Sequence, residues 1–236
     1  MNYSPLPYTS IRIGLLVVAL LLLASKQLRA QDTKVVSDLQ LWTGAAIEKS
    51  WGKAWSASLT EEIRFKHDIS EINNYFTDAA LRYRISKNFA LEGGYRFTRD
   101  KNSDGSYDNL TRYNLDLRYK GRINFLTIYY RLRYQKEVEG FNLFDQTADY
   151  EKYVRNRIRI RYNDFKKIKP YVSAELFQLF RPDYYAELEY IRVVGGIKYE
   201  PGKLGSFDFG FGFNREFTEL APAMIYQFRA RYTYEF

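Results

Sequence analysis

Arg155, Arg157, Arg159 and Arg161, the alternate residues of "YVRNRIRIRYND", are the densest chemistry in the sequence. A guanidinium is planar, permanently cationic and carries a fork of N–H donors, so a row of them either pairs with carboxylates or receives anions. Other chemistry is thin. His67 is the only histidine; on a strand its face-mates are Phe65 and Ile69, and Ser70 lies three residues away, so local spacing makes no Ser–His pair. One histidine and no cysteine argue against zinc, and "DKNSDGSYD" lacks the ordered ligands and terminal Glu of a calcium loop. The expectation is no catalytic residue, no metal and no cofactor.

The elements that must position the arginines follow from the same spacing. On a helix a two-residue step turns about 200°, which would scatter the row over opposite sides. On a strand the arginines line one face, and Val154, Ile158, Ile160 and Tyr162 line the other, interrupted only by Asn156. The alternation recurs along the chain. Trp55, Ala57, Leu59, Ile63 and Phe65 oppose Ser56, Ser58, Thr60, Glu62, Arg64 and Lys66. Tyr113, Leu115, Leu117 and Tyr119 oppose Arg112, Asn114, Asp116 and Arg118; Leu126, Ile128, Tyr130, Leu132 and Tyr134 oppose Thr127, Tyr129, Arg131, Arg133 and Gln135. The chain closes with Tyr226, Phe228, Ala230, Tyr232, Tyr234 and Phe236 against Gln227, Arg229, Arg231, Thr233 and Glu235.

This pattern predicts eleven strands, at 38–48, 54–67, 75–86, 89–98, 110–120, 124–136, 148–163, 170–181, 187–199, 206–214 and 224–236. Their connections alternate between short ("SKN", "KGRI") and long ("RDKNSDGSYDN" at 99–109, "KEVEGFNLFDQTA" at 136–148). No second domain or linker is visible. Bacterial single-chain barrels have even strand numbers, so the expected total is ten, with 38–48 not a full strand, or twelve, with one unrecognised.

Residues 1–30 read separately. Arg12 precedes an apolar run from Ile13 to Ala24, and "LRA" precedes Gln31, the pattern of a secretory signal peptide; the run is too short for a membrane anchor. The expected mature domain is 31–236. Without Arg12, Lys26 and Arg29 its Lys+Arg count falls from 36 to 33 against 28 Asp+Glu, a net charge of +5. A basic balance can mark nucleic-acid binding, but an exported chain meets little nucleic acid. Aromatic content is high, with 22 Tyr and 17 Phe. No later stretch approaches a transmembrane helix, whereas a membrane strand needs only alternate residues apolar.

Two architectures place the apolar faces differently: a soluble sandwich between its sheets, a membrane barrel against lipid. The predicted strand lengths match the roughly 9–11 residues that cross a bilayer with tilt, against about 5–6 for soluble strands. Tyr and Phe gather near strand ends, as aromatic girdles do. Tyr232, Tyr234 and Phe236 give the C-terminal strand the aromatic ending read by outer-membrane assembly machinery. The expected fold class is therefore all-β, an antiparallel transmembrane barrel of the outer-membrane type with about 10–12 strands. Arg at the bilayer midplane costs roughly 2–4 kcal/mol in such a barrel, so the arginine row must face the lumen.

Arg131, Arg133, Arg229 and Arg231 join that row as a basic lumen face, and Glu62, Asp116 and Glu175 are its expected acidic partners. Two roles follow: a polar core of Arg–carboxylate pairs filling a narrow barrel, or a constriction selecting small anions. An enzyme acting on outer-leaflet lipid or lipopolysaccharide would need His67 and a serine to meet. A binding or adhesion protein would work through 99–109 and 136–148. Expected partners are outer-membrane lipid, lipopolysaccharide and, during biogenesis, the assembly machinery, with no nucleic acid; oligomeric state stays open.

The segments "LQLWTGAAIEKSWGKAWSASLTEEIRF", "GGYRFTRD", "RNRIRIRYN" and "KPYVSAELF" together resemble a bacterial family, the domain of unknown function 2490, over nearly all of 38–236. The resemblance implies an outer-membrane β-barrel, common in the Bacteroidota. It carries no activity or catalytic residues to transfer.

Overall fold

The structure, a computed structural model, describes residues 36–140, 150–180, 186–202, 205–217 and 223–236. The proposed signal peptide lies outside these residues, as does most of the 136–148 connection. Alternation of apolar and polar residues over long runs leaves one solution for the backbone: extended strands whose two faces meet different surroundings. Eleven strands form: β1 (Val36–Trp51), β2 (Trp55–Lys66), β3 (Glu71–Arg84), β4 (Phe89–Lys101), β5 (Tyr107–Ile123), β6 (Leu126–Glu139), β7 (Tyr150–Tyr162), β8 (Ile168–Phe180), β9 (Glu187–Gly202), β10 (Gly205–Glu216) and β11 (Ala223–Glu235). Each pairs with its sequence neighbours, and β1 pairs with β11, which closes the sheet into a barrel. No helix among the described residues is long and apolar enough to cross a membrane, which leaves spanning by strands untouched.

The strand number corrects the parity argument: neither ten nor twelve, but eleven. Ten of the interfaces are antiparallel, and β1 lies parallel to β11 from Val36↔Ala223 to Glu48↔Glu235. Closure requires only that every edge N–H and C=O find a partner, and a parallel ladder satisfies them as an antiparallel one does. The odd count also puts the start of β1 at the rim opposite Phe236. The turns 52–54, 85–88, 124–125 and 163–167 share the rim of Phe236, here the C-terminal rim; 67–70 and 102–106 lie on the other. The predicted loop 99–109 is thus mostly strand, because β4 and β5 continue their ladder to Lys101↔Tyr107 and leave a five-residue turn.

Side chains sort as the pattern requires. The outer wall exposes aliphatic residues such as Leu59, Leu81, Leu115, Ile158 and Ile197. Around the C-terminal rim, aromatic rings pair across strands: Trp55 with Tyr83 (4.7 Å), Phe89 with Tyr119 (5.2 Å), Phe125 with Tyr162 (5.3 Å) and Phe207 with Tyr232 (5.0 Å). Tyr234 and Phe236 continue this belt, and the Phe236 N–H donates to the Glu48 carbonyl at 3.0 Å. On the inner wall Gly196 and Gly210 leave a floor over which the Tyr171 ring lies. A Cβ on Gly196 would stand 2.7 Å from that ring and 2.4 Å from the Phe209 carbonyl.

The parallel seam is directly testable, since the chain has no cysteine of its own. Thr43 and Ala230 are register partners on the outer wall. In the double variant Thr43→Cys, Ala230→Cys, mild oxidation should link them intramolecularly, read as a mobility shift in reducing against non-reducing electrophoresis. A barrel of ten strands that excluded β1 would leave the two thiols unlinked.

Candidate functional site

The arginine row lies on the inner face of β7, because parity from the exposed Ile158 and Ile160 sends Arg155, Arg157, Arg159 and Arg161 the other way. What each arginine meets depends on the neighbouring strands. Arg155 donates from Nε to Glu175 at 3.0 Å and from Nη1 to Gln135 at 2.9 Å, and its guanidinium carbon lies 4.1 Å from the centre of the Phe177 ring. Arg157 has Glu175 as its register partner on β8, yet among the described residues it forms no ion pair. Arg159 reaches Asp208 only at 3.8 Å and stacks on Tyr171 at 4.2 Å. Arg161 bonds Asn163 at 2.9 Å and approaches Glu200 at 3.9 Å. One row therefore contains a tightly held member and three loosely held ones.

The other predicted residues assemble into two carboxylate-centred clusters. In the first, Asp116 receives a bidentate fork from Arg133, at 2.6 and 2.9 Å, and a bond from Arg118 at 3.2 Å. Glu175 accepts from both Arg131 and Arg155. In the second, Glu62 accepts from Arg64 at 2.9 Å and from Arg231. Asp78 beside it holds Arg96 at 2.8 Å and Arg112 at 3.4 Å. Arg229 makes no ion pair among the described residues; its guanidinium stacks 4.7 Å from Trp42.

Aromatic rings in the lumen were not anticipated. Trp42 carries Arg64 at 3.8 Å and Arg192 at 4.8 Å; Phe76 carries Arg96 at 3.4 Å; Phe177 also carries Arg192 at 4.8 Å. Arg192 so joins the two clusters, touching a ring of each. The signal was present in the parity: Phe177 stands two residues from Glu175, and Phe76 two from Asp78. A guanidinium over a ring face keeps its in-plane donors free while gaining about 0.5–2 kcal/mol, so aromatic and acidic partners serve the same arginines together.

These clusters lie at a level of the lumen nearer the rim opposite Phe236. Every strand supplies a buried inward residue there: Trp42, Glu62, Phe76, Thr98, Arg112, Gln135, Arg155, Phe177, Val194, Asn214 and Gln227 from β1 to β11 in turn. Asp116 and Gln227 are fully inaccessible. Charges held this far from water survive only when paired and hydrogen-bonded.

The hydrolase constellation does not form. His67 sits in a turn where His67, Asp68 and Ile69 all take positive φ (51°, 54° and 67°), exposed at the rim. Its Nδ1 lies 2.9 Å from Glu71, and Ser70 Oγ donates to the His67 backbone carbonyl, not to its ring. No group of three or more His, Cys, Asp or Glu among the described residues is arranged to hold a metal.

Fold and interior define a class: an eleven-stranded β-barrel with an apolar outer wall and a guanidinium-rich polar core. The chain belongs to the family described as "Protein of unknown function (DUF2490)", whose model matches residues 39–220. No curated protein and no solved structure matches it.

Glu175 of the first cluster is shared by two buried guanidiniums, those of Arg131 and Arg155. Glu175→Gln leaves Arg131 and Arg155 buried without their carboxylate, and should cost about 3–5 kcal/mol. The check is the denaturant midpoint of the refolded barrel, compared with Asp164→Asn in an exposed turn, which should be near neutral.

Proposed function

We propose that the protein is an outer-membrane β-barrel of Gram-negative bacteria with a passive, structural role, its lumen closed by the guanidinium–carboxylate–aromatic core. The observation that carries this reading is the complete ring of buried inward residues, one from each strand. An apolar outer wall bounded by an aromatic belt supports insertion in lipid. In this reading residues 1–30 direct export and are removed, and the aromatic end Tyr232, Tyr234 and Phe236 is what the assembly machinery reads. Lipid and lipopolysaccharide contact the outer wall. The family resemblance supports the same membrane.

A second reading, a narrow path for small anions, is favoured by Arg157 and Arg229, which have no carboxylate at ion-pair distance among the described residues. Planar-bilayer recording of the refolded domain separates the two. A closed core predicts insertion, verified by heat-modifiable migration, without resolvable conductance steps. Discrete anion-selective steps, reduced by Arg157→Gln and Arg159→Gln, would transfer the assignment to the channel.

A further inference from the structure

The two halves of the lumen differ in how their charges are matched. Toward the rim opposite Phe236, carboxylates hold guanidiniums at 2.6–3.0 Å and side chains are buried. Toward the C-terminal rim Glu92 still holds Arg82 and Arg118, and Lys198 lies 3.3 Å from Glu200, but a group of cations on β5 and β7 has no close acid. Register places Lys120 opposite Tyr129 and Tyr129 opposite Arg159; one step further out, Arg122, Thr127 and Arg161 are neighbours. Lys120 and Arg161 approach the same Tyr129 ring, at 5.9 and 5.1 Å. Among the described residues the Lys120 ammonium has no ion pair, Arg122 bonds only the Asn124 carbonyl, and Arg159 and Arg161 reach carboxylates only at 3.8 and 3.9 Å. Lys120 lies within the field of Arg161, Arg84 and Arg122.

Like charges on neighbouring strands repel unless something neutralises them. In the closed section Asp116, Glu175, Glu62 and Asp78 do so. Around Lys120, Arg159 and Arg161 the protein supplies too few acids, and the space is wet: the Arg159 side chain is 26 % exposed, against 9 % for Arg133. Among the described residues the opposite mouth is mainly acidic, with Asp38, Asp100, Asp108, Glu137 and Glu151 on inward positions beside Lys66. An anion is therefore attracted at one rim and repelled at the other.

We propose that the lumen is a blind cationic cup, open at the C-terminal rim, that binds a multiply charged phosphate group between Lys120, Arg159 and Arg161. Forked guanidinium donors and an ammonium suit tetrahedral phosphate oxygens, the Tyr129 ring holds Lys120 and Arg161 on either side, and two or more negative charges match the local surplus. The cup rests on the closed-lumen reading for its floor, while binding itself needs only the three cations.

The test is calorimetric titration of inorganic pyrophosphate into the refolded barrel in zwitterionic micelles, with folding confirmed by heat-modifiable migration. Saturable binding that weakens with added salt is expected, and Lys120→Gln and Arg161→Gln should each reduce affinity about tenfold. Lys66→Gln, near the opposite rim, should leave it unchanged. Lys120 has no carboxylate partner to lose, so its variant should fold as the parent does. Absence of binding to folded protein, or equal affinity in the two vestibule variants, overturns the proposal. Repeating the titration with phosphatidic acid, a phosphomonoester lipid, in the micelles assigns the source: loss of pyrophosphate binding means a lipid headgroup occupies the cup, and retention means a soluble phosphate does. Open-pore currents with pyrophosphate binding intact would remove the closed lumen and keep the site; a silent barrel without binding would do the reverse.

Discussion

The guanidinium–carboxylate contact inside the barrel is the interaction on which the rest depends. Eight strands enclose a space that ordinary side chains fill, and the diameter grows with strand number. At eleven, aliphatic residues from opposite walls would leave a gap. Arginine, with its long stem and planar head, spans it, but only if its charge is answered on arrival. Asp116 and Glu175 provide that answer at the first cluster, Glu62 and Asp78 at the second, and Trp42, Phe76 and Phe177 fill the flat spaces between. Such pairs contribute less to net stability than their number suggests, because each ion was first removed from water. Their stronger effect is on specificity. A one-residue register slip would turn every arginine of β7 to the outer wall, so the charged interior pins the register of each strand it involves.

That constraint also accounts for the unusual closure. Strand direction does not matter to the lumen; the inward residue and its level do. β1 contributes Trp42 to the ring of buried residues and Glu48 to the ion pair with Arg82 while running parallel to β11. An antiparallel twelfth strand would restore even parity but would widen a lumen already filled by the side chains of eleven.

Much of this was legible in the sequence, since strand alternation is a local property. All eleven strands, their order and the inward direction of the predicted arginines and acids follow from two-residue periodicity. Other features lie beyond local pattern. The alternation yields the eleven strands found, and only the parity argument for ten or twelve fails, because even parity is a regularity of known bacterial barrels, whereas closure needs only paired edges. The lumen aromatics were passed over because an aromatic residue on a polar face reads as a break in the pattern. The difference between Arg155 and Arg157 has no local signal at all. Both are arginines on one face, two residues apart, and Glu175 is the register partner of Arg157, yet its carboxylate bonds Arg155 and Arg131.

That difference follows from barrel geometry. Strands in a closed barrel tilt by roughly 35–45°, so a step along one strand moves a side chain around the axis as well as along it. Successive arginines of β7 therefore reach partners on different strands to one side: Arg155 meets Glu175 and Phe177 of β8, Arg159 Tyr171 of β8 and Asp208 of β10, and Arg161 Glu200 of β9. A uniform row in sequence becomes a graded series in space, from a dry, fully paired end to a wet, underpaired one. Four identical residues can then serve as core at one level and leave unmatched positive charge at another, and the acids on neighbouring strands decide where one gives way to the other.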